Sequence, residues 1–385
     1  MTIRHTLIIL IFAVASFKTT LNAADERIWL KAKINGKPVH LCFDSGSNGS
    51  ALCPQTVQRL GLKFIPAPTN ELSHGLLAGD TEDCTLTLDG TDSKMTFLVL
   101  DPPAYVSANF DGLIGWCTIS PNVMRIDGVA KEVTFLSKVP KQTAQWARLT
   151  VLTNLGALDL QIPHGDRTNG VLCIDTGSDL GVEVPAQEFR RWKEAHPQSP
   201  MTLETAFTLA DGFYVTEEAW ADQISVGPVV LTGVPIIAAG PSGATRWGAQ
   251  YEGTLGLAAL KRLDLIVDGN NGLAYLRART TRPPVYPHNR LGAVFVPQTH
   301  TNQAAAWVVK GSPAYEAGVR NGDVLLQVDE VTVRGWTDDW LSRFRMPAGT
   351  KLKLTLQRDG TNFTTTATLR EILQPSPKEN RPPSP

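Results

Sequence analysis

Two copies of one short phrase constrain this chain more than anything else in it. Residues 41–47 read Leu41-Cys42-Phe43-Asp44-Ser45-Gly46-Ser47, and residues 172–178 read Leu172-Cys173-Ile174-Asp175-Thr176-Gly177-Ser178. The two aspartates lie 131 positions apart, the span of a small domain. The likeness runs further. Asp111-Gly112-Leu113-Ile114-Gly115-Trp116 answers to Glu252-Gly253-Thr254-Leu255-Gly256-Leu257, with Gly115 and Gly256 separated by 141 residues. Ile126-Asp127-Gly128 and Val267-Asp268-Gly269 are separated by the same 141. A chain written this way folds as two copies of one half-structure. Any site that uses both aspartates then lies between the copies.

Each copy has one order: strand, Asp turn, helix, hairpin, strand, apolar-apolar-Gly, closing hairpin. Strands are expected over Arg27 to Ile34, Met95 to Leu100, Glu132 to Leu136, Val229 to Ala238 and Leu273 to Leu276. Alternation supports this in places, as in Thr85-Leu86-Thr87-Leu88. Helices are expected from Pro54 to Leu60 and from Ala186 to Glu194, each with a proline at its start. Leu77-Ala78-Gly79-Asp80 and Leu209-Ala210-Asp211-Gly212 read as hairpin tips, because Gly-Asp and Asp-Gly tolerate positive φ. The 32 glycines and 26 prolines suit short strands joined by many turns.

The termini and the cysteines set the setting. Arg4 and His5 precede the apolar run Leu7 to Val14, and Leu21-Asn22-Ala23 offers a cleavage point, so 1–23 reads as a secretory signal. The protein is expected to be secreted or periplasmic, with no membrane span once that segment is removed. Five cysteines (Cys42, Cys53, Cys84, Cys117, Cys173) leave at least one unpaired, and Cys42 and Cys173 occupy equivalent positions that suit small buried side chains. No Cys/His spacing matches a zinc site, so neither metal nor cofactor is expected. The formal net charge of −1 gives no basic field for nucleic acid.

Paired carboxylates carry a definite chemistry. Two that share one proton can act together: the ionised one takes a proton from water, and the protonated one polarises a carbonyl. Like charges at that range cannot both ionise, so the pair titrates as a unit. Asp44 and Asp175 are the candidate pair. Gly46 and Gly177 let the backbone fold tightly beneath each carboxylate. Ser45 and Thr176 can brace the opposite loop, and Ser47 and Ser178 can bond the outer carboxylate oxygens. The two hairpin tips are placed to close over substrate and exclude water.

On these motifs the chain resembles the pepsin/retropepsin superfamily of aspartic proteases over about residues 25–280. In that family each lobe carries Asp-Thr/Ser-Gly and then apolar-apolar-Gly, and both copies here carry both. The resemblance implies an all-β fold of two pseudo-symmetric β-barrel lobes, 24–145 and 146–280, with the catalytic pair in the cleft between them. It implies an aspartic endopeptidase acting on peptide or protein substrates. Neither hairpin tip carries a tyrosine matching the flap tyrosine of pepsin-type enzymes; Tyr214 lies near the second tip, in the other lobe.

Past a Pro-rich linker, 281–287, the chain changes character. Gly311-Ser312-Pro313-Ala314, Ala317-Gly318 and Gly322-Asp323 resemble a bacterial-type PDZ domain over 288–372, a small β-rich α+β unit. The resemblance implies capture of an extended peptide end by strand addition, with the terminal carboxylate in a backbone nest. Leu291-Gly292-Ala293-Val294 is the candidate loop. Residues 373–385 read as a disordered tail. A non-catalytic peptide-binding scaffold on the same fold is the rival reading.

Overall fold

The computed structural model describes residues 27–67, 77–101, 111–154, 156–164, 169–208, 212–240, 251–281, 284–298, 301–334 and 338–373. The expected signal segment and the tail beyond Leu373 lie outside the described residues. What is described is mostly β, arranged in three sheets.

The first sheet holds β1 (Trp29–Ile34), β2 (Lys37–Asp44), β3 (Ala51–Leu52), β4 (Phe64–Pro66), β5 (Leu77–Thr81), β6 (Cys84–Leu88), β7 (Thr91–Met95), β8 (Leu98–Leu100) and β9 (Gly112–Gly115). Asn35-Gly36 and Asp89-Gly90, all at positive φ, close the β1–β2 and β6–β7 hairpins. Helix α1 (Pro54–Leu60) forms as expected and stops at Gly61, whose φ of 68° only glycine adopts readily.

The second sheet holds β10 (Val123–Asp127), β11 (Glu132–Leu136), β12 (Ala147–Val151), β13 (Asp159–Pro163), β14 (Asn169–Ile174), β15 (Val182–Val184), β16 (Met201–Thr208), β17 (Gly212–Val226), β18 (Val229–Ala238), β19 (Tyr251–Leu255), β20 (Leu263–Asp268) and β21 (Leu273–Ala278). Helix α2 (Trp116–Ile119) follows β9, α3 (Ala186–Ala195) follows β15, and α4 (Leu257–Leu260) follows β19.

Strand order exposes the duplication. The run β4-β5-β8-β3-β9-β2-β1 of the first sheet is matched by β16-β17-β18-β15-β19-β14-β13 of the second. The closing hairpin β10–β11 of the first copy joins the second sheet through β20, with Ile126 opposite Leu265. One apolar core runs through both copies, with Phe43, Ile114 and Trp116 in the same cluster as Ile174, Leu255 and Leu257. Each such side chain contributes about 1.5–3 kcal/mol when fully buried.

The third sheet holds β22 (Ala293–Gln298), β23 (Thr301–Val308), β24 (Val324–Val328), β25 (Val331–Thr332), β26 (Lys351–Arg358) and β27 (Thr361–Thr368), in the order β22-β23-β24-β26-β27 with β25 on β24. Helix α5 (Pro313–Glu316) is capped by the Ser312 side chain, which accepts from the Tyr315 amide. Helix α6 (Asp338–Leu341) runs into a 3-10 turn, Ser342–Arg345. Tyr286 of the Pro-rich segment packs against the second lobe, buried and bonded to Glu218. Leu373, expected at the head of the loose tail, is also buried, beside Ala258 and Tyr286.

Candidate active site

Both aspartates sit at the end of a strand flanked by a parallel partner. Asp44 ends β2, where it lies opposite Gly115 of β9. Asp175 follows β14, and its amide donates to Leu255 O at 2.9 Å. Apolar strands can run side by side here because nothing with a side chain is needed where they meet the loops. A Cβ on Gly115 would stand 2.3 Å from Gly49 O, and one on Gly256 would stand 2.5 Å from Leu180 O. The residues after these glycines then seal each loop: Trp116 N donates to Ser47 O (2.8 Å) and Leu257 N to Ser178 O (2.7 Å).

The two loops clasp each other through four buried hydrogen bonds. Ser45 N donates to Thr176 Oγ1 (2.9 Å), and Thr176 N donates to Ser45 Oγ (3.0 Å). The hydroxyls pass the clasp on to the opposite strand: Ser45 Oγ donates to Ile174 O (2.6 Å), and Thr176 Oγ1 to Phe43 O (2.8 Å). Each carboxylate is also held by its own loop, with Gly46 N donating to Asp44 Oδ1 (3.0 Å) and Gly177 N to Asp175 Oδ1 (2.9 Å).

This clasp puts the carboxyls against each other's glycines. A Cβ on Gly46 would lie 2.5 Å from Asp175 Cγ, and one on Gly177 would lie 2.5 Å from Asp44 Cγ. Asp44 is 1% exposed and Asp175 0%. Burial of two carboxylates is costly unless they are paired with donors or share a proton. Each carboxyl therefore faces the other copy's loop at the seam between the two copies.

The remaining expected residues divide. Ser47 and Ser178 do not reach the carboxylates. Ser47 Oγ donates to Gly49 O (2.9 Å), and Ser178 Oγ accepts from Leu180 N (3.4 Å), so each braces its own loop. Leu77, Ala78, Gly79 and Asp80 are no hairpin tip: they lie within β5, paired with β4 and β8. Gly79 is there because Ile65 O would stand 2.1 Å from its Cβ. The connection from β4 to β5 comes earlier in the chain, and residues 68–76 lie outside the described residues. In the second copy, Thr208 pairs with Gly212 where β16 meets β17. Leu209, Ala210 and Asp211 lie outside the described residues, and Gly212 closes the hairpin at φ 66°. Leu291 and Gly292 donate both amides to Asn289 Oδ1 (2.9 and 3.2 Å), ahead of Ala293 and Val294 at the start of β22.

The five cysteines are in the thiol form rather than in disulfides, four of them buried, including the equivalent pair Cys42 and Cys173. Among the described residues no group of three or more His, Cys, Asp or Glu is placed to hold a metal. The sequence reading missed Asp111, which locks α1 to β2: it accepts from Thr56 Oγ1, Arg59 Nη2 and His40 N. Its position in the repeat, shared with Glu252, was the available signal.

Residues 30–117 match the family model described as aspartyl protease. The first lobe is similar to aspartyl proteases. Residues 305–358 match the PDZ domain model. Among solved structures, the retroviral protease-like domain of Ddi1 from Leishmania major aligns at 18% identity and a TM-score of 0.21, covering 30% of this chain and 95% of that one. No curated protein matches the chain. The protease match covers only the first copy; the second repeats that lobe's strand order and its Asp loop.

Proposed function

We propose that the chain is an aspartic endopeptidase in which Asp44 and Asp175 share a proton and activate one water. The observation that carries this reading is the reciprocal packing of each carboxyl on the other loop's glycine. The ionised acid would take a proton from the water as it attacks the scissile carbonyl, and the protonated acid would donate to the carbonyl oxygen. Proton and charge return to the pair when the amine leaves, so no metal is needed. Ser45 and Thr176 are assigned to hold the loops in register, and the hairpins β4–β5 and β16–β17 to cover bound substrate. The substrates would be polypeptides in an extended form, met outside the cytoplasm if the N-terminal segment acts as the export signal it resembles. The PDZ-like unit would either recruit a substrate end or control access, and its packing against β16–β17 favours control of access.

The test is cleavage of an unfolded polypeptide by purified protein between about pH 3 and 8. Asp44→Asn and Asp175→Asn should each abolish it while leaving the folded state intact. Cleavage that survives either change would refute the dyad, and a bell-shaped pH profile would report the pair's two macroscopic pKa values.

A further inference from the structure

The two pseudo-symmetric hairpins are treated differently by the rest of the molecule. In the first lobe β4 is bare, with Phe64 41% and Ile65 47% exposed. Its counterpart β16 is covered: Thr202, Thr205 and Ala206 are at most 2% exposed, and even Glu204 is 7%. What covers β16 and its partner β17 is the PDZ-like unit.

The contact falls on the groove where such a unit would take a peptide. β22 is the edge of its sheet, and helix α6 with its 3-10 turn lies alongside. An extended peptide would enter between them, its carboxylate on the amides of Leu291 and Gly292. Those amides already bond Asn289 Oδ1. A cavity of about 20 Å³ remains between β22 and the helical segment, with Glu204 and Thr205 of β16 in its lining. That is room for about one water.

Polar bonds fix the contact. Arg345, on the 3-10 turn, donates to Glu204 Oε2 at 2.8 Å, with both side chains 9% exposed. Asn289 Nδ2 donates to Leu203 O, Thr202 Oγ1 donates to Asn289 O, and Tyr286 Oη donates to Glu218 on β17. The apolar cluster of the PDZ-like core also continues into the first lobe through Leu100, Leu113 and Cys42, and Leu77 of β5 and Phe213 of β17 pack on it.

We propose that this unit is a clamp whose resident ligand is the chain's own β16, and that Arg345 is the positioning residue that holds hairpin β16–β17 over the cleft. The effect on catalysis rests on the endopeptidase reading; the clamp itself does not. Hydrogen exchange on the full-length protein reads it directly. Arg345→Ala should raise exchange of the 201–219 amides at least tenfold while β12–β14 and β20–β21 stay protected, and Arg345→Lys should restore part of the protection. If Arg345→Ala raises exchange throughout, Glu204→Gln, which keeps the side-chain shape, is read the same way.

A dye-labelled decapeptide with an apolar free C-terminus serves as the second probe. It should show no saturable binding to the wild type and gain binding in Arg345→Ala. Unchanged exchange at 201–219 in the variants, or saturable wild-type binding that leaves that exchange unaltered, overturns the clamp. Where the protein cleaves polypeptide, Arg345→Ala should raise KM at least fivefold and move kcat less. If no variant and no wild type cleaves, the endopeptidase reading falls while the exchange result still decides the clamp.

Discussion

Replacing Thr176 with valine tests the clasp between the two loops at almost constant volume. The change removes one oxygen and keeps the branched shape. That oxygen accepts from Ser45 N at 2.9 Å and donates to Phe43 O at 2.8 Å, and all three residues are fully buried. A buried donor or acceptor left without a partner costs about 1–3 kcal/mol. Two such groups, partly relieved by relaxation of the loops, put Thr176→Val at about 2–4 kcal/mol. Ser45→Ala removes the mirror-image pair, Thr176 N to Ser45 Oγ and Ser45 Oγ to Ile174 O, and should cost a similar amount. No bond is common to the two variants, yet both hold the same pair of loops together. Once one half has let go, the other has less left to hold, so the double variant should cost less than the sum by about 0.5–3 kcal/mol. Urea unfolding of the wild type, both singles and the double would close this cycle. Strict additivity, or a cost below about 0.5 kcal/mol for each single, would refute the view that the loops are held as one unit.

Further expectations come from the same packing. Gly46→Ala should abolish cleavage and cost about 1–3 kcal/mol, because its Cβ would lie 2.5 Å from Asp175 Cγ; activity assays and urea unfolding read both. Asp111→Asn should loosen α1 against β2 by about 0.5–1 kcal/mol, since Arg59 and the His40 amide would lose a charged acceptor at a partly exposed site; exchange protection at 54–60 reports it. Glu218 is pushed up to about 8, chiefly by burial and next by the charge of Glu204. A carboxyl raised in the fold stabilises fully below its unfolded value and progressively less as pH rises through the folded one. The urea midpoint should therefore fall between about pH 4.5 and 8, and Glu218→Gln should flatten that fall.

Local chemistry made much of this fold readable before any coordinates. Pro54 and Gly61 bracket α1 because proline fits the first helical turn and glycine the left-handed stop. The phrase Asp-Ser/Thr-Gly recurs because each carboxylate needs an amide behind it and bare backbone opposite. The errors also have local causes. Gly79-Asp80 has the composition of a turn, but Gly79 answers a close approach by the Ile65 carbonyl, which only the pairing of β4 with β5 creates. At Ser47 and Ser178 a backbone group two residues on takes up the hydroxyl oxygen, a competition that the motif itself does not show. Arg345 and Glu204, 141 residues apart, carry no shared motif, so their pairing appears only once the third sheet is set against the second.

Duplication alone would give two equal flaps, and this chain has departed from that. The first connection spans the residues between Pro66 and Leu77, while the second spans only 209–211. Beneath the longer one β4 is exposed; beneath the shorter one β16 is buried. A flap that must admit substrate is drawn from the weakly held end of a structure's stability range. On the endopeptidase reading, the first hairpin would be the one that moves and the second the fixed wall against which substrate would be pressed. On the same reading the third unit would shape the substrate site through its contact with β16 and β17. Exchange measured in the wild type should reflect this asymmetry, with amides of β4 and β5 exchanging at least tenfold faster than those of β16 and the facing half of β17. Equal rates in the two hairpins would mean that the clamp does not distinguish them and that both open together.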